Sequence, residues 1–338
     1  MMNLYLLLIM IVQLILASTP VYANNQSNGV GLEKMVVVGT VPGPDLWRVS
    51  KGDHELWILG TITPLPKKMD WNSKPIEKVI QSSQAFMLPP SFFISLKEVG
   101  FFKKLSLMKS GIGIKNSPDK QKLEDILPAD LYSRWLVLKK KYIGKSRKVE
   151  KTRPIFASQK LYDKALKKTG LTRKTGITKK LKKMARKNKL KIIHPSVEVG
   201  FKDPKSTIKK FKKTQMNDID CFTKTLETIE SDLATMSVRA EAWSYGDIET
   251  IRTVPYTGDS RGCISTVFNS DIGKDLGMTD LDSQISIKWL EEAKSTLAEH
   301  KSTFAVMPIS YLLSDEGILN ELRSAGYKVE APNTVDEI

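Results

Sequence analysis

The chain has 338 residues, of which 41% are hydrophobic and 27% charged. That is enough apolar material for a full core and excludes a disordered or fibrous chain, leaving one large globular domain or two intertwined lobes. The net charge is +16, and its location matters: residues 139–213 hold 28 Lys and Arg against four acids (Glu150, Asp163, Glu198, Asp203), a balance of +24, so the remainder carries −8.

Residues 1–23 read as a secretion signal. Leu4 to Ala17 is apolar except for Gln13, and Val21-Tyr22-Ala23 supplies the small-x-small cleavage pattern. The alternative is a retained anchor, although the run is shorter than the ~20 residues a spanning helix needs. The expectation is export to a periplasmic or extracellular compartment. Residues 24–45 then form a polar N-terminal segment with a short strand at Val36-Val37-Val38. Cys221 and Cys263 lie in no metal-type spacing; in an oxidising compartment they would pair as a disulfide, the alternative being two buried thiols.

From Trp47 the alternation predicts a β-hairpin turning at Lys51-Gly52-Asp53, its second strand the apolar Leu56-Trp57-Ile58-Leu59. Gly60 is expected to end that strand by its backbone freedom and open the loop Thr61-Ile62-Thr63-Pro64. Ser73 and Pro75 start a helix with an Ile76, Val79, Ile80 stripe, followed by a strand at Ala85-Phe86-Met87-Leu88. Leu56 to Leu88 is therefore a βαβ unit. Phe92, Phe93, Phe101 and Phe102 suggest a hydrophobic cover over the sheet or a mobile flap.

A helix pair surrounds Pro128, with Leu131, Trp135 and Leu138 inward, and Pro154 to Lys168 forms another helix. Thr178 is the expected cap of a basic amphipathic helix packing through Leu181, Met184 and Ala185. Ile192-Ile193 is a strand with Glu198 near its end. Asp218 to Arg252 is helical, broken at Gly246-Asp247, and Ile285 to His300 forms a helix facing inward through Ile287, Leu290, Ala293 and Leu297. Phe304 to Met307 is a strand, Ser310 to Glu316 a loop, Ile318, Leu319 and Leu322 a helix face, Gly326 its stop, and Tyr327 to Val329 a strand.

The fold class expected is α/β (α+β): a mixed central sheet built from N- and C-terminal strand-loop-helix-strand units, with a basic helical insert at about 139–213 inside a domain spanning 46–332.

The stretches LWILGT (Leu56 to Thr61), PLP (Pro64 to Pro66), VEVG around Glu198, GDIETI from Gly246 and GILNELRSAGYKVEAP from Gly317 together resemble the TraB/GumN family. Members with the full pattern resemble Tiki-type metalloproteases, in which paired Gly-x-x-His motifs and acidic groups are thought to hold a water-activating metal. Here Thr63 stands at the first histidine's place, Tyr311 near the second, and Met87-Leu88-Pro89-Pro90 where an acid is common. A neutral hydroxyl is a poor transition-metal ligand. His54, His194 and His300 form no H-x-x-H or H-x-H pair, and structural roles are expected for them.

The candidate cleft is Gly60, Thr63, Glu198 and Tyr311, with neither metal nor cofactor expected and no confident catalytic residue. Three functions stay open: a binding or regulatory protein for a peptide or protein ligand, a hydrolase with a non-standard site using Glu198, or a module that binds anionic lipid or polysaccharide through Lys139–Lys213. Nucleic acid is disfavoured, because aromatics for base stacking are sparse in the tract.

Overall fold

The computed structural model describes residues 42–95, 100, 106–107, 109–200, 203–254, 273–274, 278–315 and 317–332. The signal segment, the Val36-Val37-Val38 strand, Phe101, Phe102 and Cys263 lie outside the described residues. The described residues all belong to one compact unit.

A hairpin of β1 (Leu46–Lys51) and β2 (His54–Thr61) opens the fold, Lys51 pairing with His54 across a Gly52-Asp53 turn. Gly52 has φ +62°, the left-handed angle a two-residue hairpin turn requires. Then come β3 (Leu65–Pro66), α1 (Lys74–Ser82), β4 (Ala85–Met87) and β5 (Ser91–Ser95). Helices α2 (Leu123–Ile126), α3 (Ala129–Tyr142) and α4 (Pro154–Lys168) follow, then β6 (Leu171–Thr172), α5 (Ile177–Lys187), β7 (Lys191–Ile193) and β8 (Ser196–Gly200). The remaining elements are α6 (Pro204–Lys213), α7 (Ile219–Ser231), α8 (Thr235–Tyr245), α9 (Ile248–Thr253), α10 (Leu281–Glu299), β9 (Ser302–Pro308), α11 (Ile309–Leu312), α12 (Ile318–Ser324) and β10 (Lys328–Glu330).

Six strands form one mixed sheet in the order β10-β1-β2-β9-β4-β7. The β2-α1-β4 unit leaves a gap one strand wide, and β9 fills it, parallel to both neighbours. β10 then returns to the outer edge of the hairpin, antiparallel to β1. Five of the six strands thus come from the two ends of the domain, as the paired units predict, whereas the edge strand β7 comes from within the basic tract. Thr303 through Met307 are all buried, so β9 is covered on both faces, as a strand between parallel neighbours must be. Phe86 and Phe304, in register on β4 and β9, stack at 5.7 Å. Helix α5 packs on α1, β4 and β7, while α10 packs on β2, β9 and α12.

A second core lies among α2, α3, α4 and α7, around Trp135, Leu161 and Phe222. Its residues come from within the basic tract and from both sides of it. Lys139 is drawn inward to Glu150 at 2.5 Å, and Trp135 Nε1 donates to the same carboxylate at 3.1 Å.

Several local expectations are corrected. Gly60 does not end β2, which continues through Thr61. Helix α5 starts after Gly176 at φ +74°, so Thr178 is not its cap. Ser73 sits at the N-cap of α1, but its hydroxyl donates to Glu77 Oε1 instead of capping the backbone. Ile287 is 57% exposed, and Trp289 fills the core instead, because the inward stripe of α10 runs through Leu281, Ile285, Trp289, Ala293 and Leu297. Ser310 to Glu316 is not wholly a loop, since α11 occupies its start. Phe92 and Phe93 do not cover the main sheet. They lie on β5, which pairs with β8 as a separate parallel ribbon.

Candidate functional site

In open parallel sheets, ligands sit outside the carboxyl ends of the strands. Here those ends are Thr61 of β2, Pro308 of β9, Met87 of β4 and Ile193 of β7. The β5–β8 ribbon extends from this edge: Leu88 N–H donates to Ile193 O at 3.0 Å and Ser91 N–H to Pro195 O at 3.1 Å.

Gly60 lies at the centre of the edge. A Cβ there would meet Trp47 Cζ3 at 2.7 Å and Ile309 Cγ1 at 3.0 Å, and its carbonyl accepts Trp243 Nε1–H at 2.7 Å. Small size, rather than left-handed backbone, is what the position demands. Trp243 tilts against Trp71 at 5.5 Å, and Lys180 Nζ lies 5.1 Å from the Trp71 ring while donating to Ser73 Oγ at 3.0 Å. Trp243 is buried in the core, so only the partly exposed Trp71 ring, with Lys180 against it, faces outward beside the strand ends.

The other sequence-derived residues are placed around this wall without converging. The Thr63 hydroxyl donates to Arg173 O at 3.4 Å, toward the β3–β6 side. Tyr311, two residues beyond Ile309 on α11, donates its hydroxyl to Asp282 Oδ1 at 2.8 Å. A Cβ on Gly317 would fall 2.5 Å from Tyr311 O, so the glycine lets the chain fold closely over α11. Glu198 is exposed on β8, opposite Phe93 of the ribbon. Gly60 and Tyr311 thus share the β2–β9 end, whereas Thr63 and Glu198 belong to different neighbours.

The donor set does not suit a transition metal. Two of the four positions are neutral hydroxyls engaged as donors, and among the described residues no three His, Cys, Asp or Glu are grouped to hold an ion. The histidines are dispersed. The His54 ring bonds Leu297 O through Nδ1 at 2.5 Å, His300 is at the end of α10, and His194 follows β7. Burial, then Lys182 and Arg186, push the His194 pKa down.

Two further polar features lie away from the strand ends. A groove of about 260 Å³ is lined by Trp47, Asp247, Ile248, Glu249, Arg252 and Ala331. Its Asp247 is committed to α9: Thr250 Oγ1 and N–H donate to the carboxylate at 2.6 and 2.9 Å and hold its pKa low. In the helical lobe, Arg153 is 1% exposed, donates to the carbonyls of Thr214 (2.6 Å) and Phe211, and lies over the Phe211 ring. Asp218 beside it accepts Ile155 N–H at 2.8 Å, and burial raises its pKa.

Sequence reasoning missed Trp71 and Lys180. An aromatic in the segment joining β3 to α1 was the available signal for Trp71; no signal tied Lys180 to it, because only the packing of α5 on α1 brings them together. The indole N–H bond of Trp243 to a strand 183 residues away has no sequence mark. Cys221 is buried on α7.

In comparison with known proteins, residues 45–331 match the model of the TraB/PrgY/gumN family. No curated protein and no solved structure matches the chain.

Proposed function

The chain belongs to the TraB/PrgY/gumN family, the match covering most of its length, and from that premise we propose that it is an exported binding or regulatory protein that works without a catalytic metal. The observation that carries the reading is the donor chemistry at the strand ends. The Thr63 hydroxyl stands where the resemblance places the first histidine and that of Tyr311 near the second, and each is spent as a hydrogen-bond donor. A divalent ion held firmly enough to polarise water needs imidazole, thiolate or carboxylate lone pairs converging on one point. The partly exposed Trp71 and Lys180 instead offer one apolar ring face and one cation, chemistry suited to a peptide or protein segment.

Metal content tests this directly. The mature protein, purified without chelator, is expected to carry well under one equivalent of any transition metal. One tightly held zinc, manganese or cobalt per chain would overturn the proposal. Export is tested by N-terminal sequencing of the protein from the periplasmic or extracellular fraction, where the chain should begin after Ala23.

A second reading, a hydrolase of unusual design, draws support from the exposed Glu198 carboxylate on the ribbon that extends from the strand ends. Peptidase activity abolished by Glu198→Gln, with an unchanged melting curve, would favour it. Absence of turnover across a broad peptide library counts against it.

A further inference from the structure

Ser73 opens α1, and its hydroxyl is not used as a helix cap. A serine at that position ordinarily accepts a backbone N–H two or three residues on. Asp203 and Asp247 cap α6 and α9 in that manner, but Ser73 makes no such bond. Its hydroxyl donates to Glu77 Oε1 at 2.6 Å and accepts from Lys180 Nζ at 3.0 Å. The first distance lies in the range of a charge-assisted O–H···O⁻ bond. One hydroxyl is therefore held between a carboxylate that can take its proton and an ammonium that favours negative charge on its oxygen.

The position suits the chemistry. Strands β2, β9, β4 and β7 run parallel, α1 follows β2 and α5 leads into β7, so both helices begin at the carboxyl edge of the sheet. Ser73 lies at the start of α1 and Lys180 in the first turn of α5. Ser73 is 9% exposed, with the more open Glu77, Lys180 and Trp71 around it, so its oxygen lies just beneath the surface of that edge. The loop before α1 is braced. Asn72 Oδ1 accepts Lys74 N–H at 3.1 Å, and a Cβ on Gly43 would fall 2.5 Å from Asn72 O. Fixing a nucleophile in advance lowers the entropy cost of its attack.

We propose that Ser73 is a nucleophile for acyl transfer, with Glu77 as its general base and Lys180 as the cation beside the developing charge, and that the substrate is a carboxylic ester. Ser73 Oγ attacks the acyl carbon as its proton passes to Glu77. Lys180 has further N–H groups to offer the carbonyl oxygen as it becomes an oxyanion. The bond to the leaving alkoxide then breaks, Glu77 returns the proton to it, and the alcohol departs from an acylated Ser73. Water next attacks that acyl carbon, its proton passing through Glu77 to Ser73 Oγ as the acid leaves. One ester and one water thus give one acid and one alcohol. A carboxylate is a weaker base than imidazole, which favours an ester over an amide, because an alkoxide leaves more readily than an amide nitrogen. The Trp71 ring offers an apolar face for the acyl group or the alcohol. This chemistry needs neither a metal nor Glu198, so it stands or falls apart from both readings above.

The test treats the full mature chain with a fluorophosphonate, which phosphonylates activated serines with loss of fluoride, and follows hydrolysis of p-nitrophenyl acetate in parallel. One adduct per chain is expected, on the peptide that carries Ser73. Ser73→Ala should abolish the adduct and lower the ester rate at least about a hundredfold. Glu77→Gln keeps an oxygen that can accept the Ser73 hydrogen bond but cannot take the proton. Labelling of that variant should slow about a hundredfold at an unchanged melting temperature. Lys180→Gln should slow it at least about tenfold. Ser82→Ala, at the other end of the same helix, should stay within about twofold of wild type. Three results would overturn the proposal: no adduct on Ser73, an ester rate that Ser73→Ala leaves unchanged, or labelling of Glu77→Gln as fast as that of wild type.

Discussion

Replacing Gly60 with alanine adds one methyl group to the tightest point of the sheet's carboxyl edge. The new Cβ would lie 2.7 Å from Trp47 Cζ3, 3.0 Å from Ile309 Cγ1 and 3.1 Å from Trp47 Cη2. The first distance is one that real Cβ atoms essentially never show, so something must move. Trp47 is 2% exposed and Ile309 4%, so neither has solvent to move into. The obvious relief, shifting β2 away from Trp47, would disturb the 2.7 Å bond from Trp243 Nε1 to the Gly60 carbonyl. Overpacking of this kind costs about 1–3 kcal/mol. Alanine recovers roughly 0.4–1 kcal/mol by restricting the unfolded chain. The net expectation is a loss of about 1–2 kcal/mol, which for a domain of roughly 290 residues lowers Tm by about 2–3 °C. Urea unfolding followed by tryptophan fluorescence is the suitable assay, because Trp47 and Trp243 report on the strained site itself. Gly52→Ala is the comparison: nothing lies within 4 Å of its Cβ, and only the φ of +62° resists the change. A Gly60→Ala protein as stable as wild type, with unchanged fluorescence, would refute the close-packing argument.

Three other outcomes follow from the same physics. Burial raises the Asp218 pKa above its ordinary 3.8, so the folded state binds the proton more tightly than the unfolded one; stability should therefore fall as pH rises from that ordinary value through the raised one, and Asp218→Asn should flatten that portion of a pH series of urea midpoints. The His194 pKa is depressed below its ordinary 6.5, so its contribution to stability is lost as pH falls below that value; Lys182→Gln should move the pKa upward in an NMR titration of the ring, and no movement would remove Lys182 as a cause. Peptide mapping without reductant should recover Cys221 linked to Cys263, and Cys221→Ser should lower stability by up to about 4 kcal/mol, the chain-entropy value for a loop of roughly 42 residues.

Much of the fold was legible before any coordinates, because periodic burial leaves a mark in the sequence. The hairpin combines an apolar strand with a turn signal, and the β2-α1-β4 and Phe304 to Val329 units add a helix stripe within about thirty residues. Such local patterns follow directly from strand and helix geometry. The inward face of α10 was misread because its stripe was taken through Ile287 instead of Trp289, and hydrophobicity alone does not choose between two overlapping stripes. Gly60 was recognised as special for the wrong reason: the sequence shows a glycine, but only the packed structure shows the Trp47 ring that requires it.

What the chain by itself determined is which residues are apolar at which spacing, where glycines and prolines punctuate them, and that Thr63 offers a hydroxyl rather than an imidazole. Tertiary structure decided the insertion of β9 between β2 and β4, the meeting of Trp71, Trp243 and Lys180, and the inward turn of Lys139 to Glu150. The physical reason is range. Backbone geometry and side-chain periodicity act within a few residues, whereas contacts such as Trp243 with Gly60 join positions far apart in sequence, and whether a lysine is neutralised depends on which distant acid the fold brings beside it.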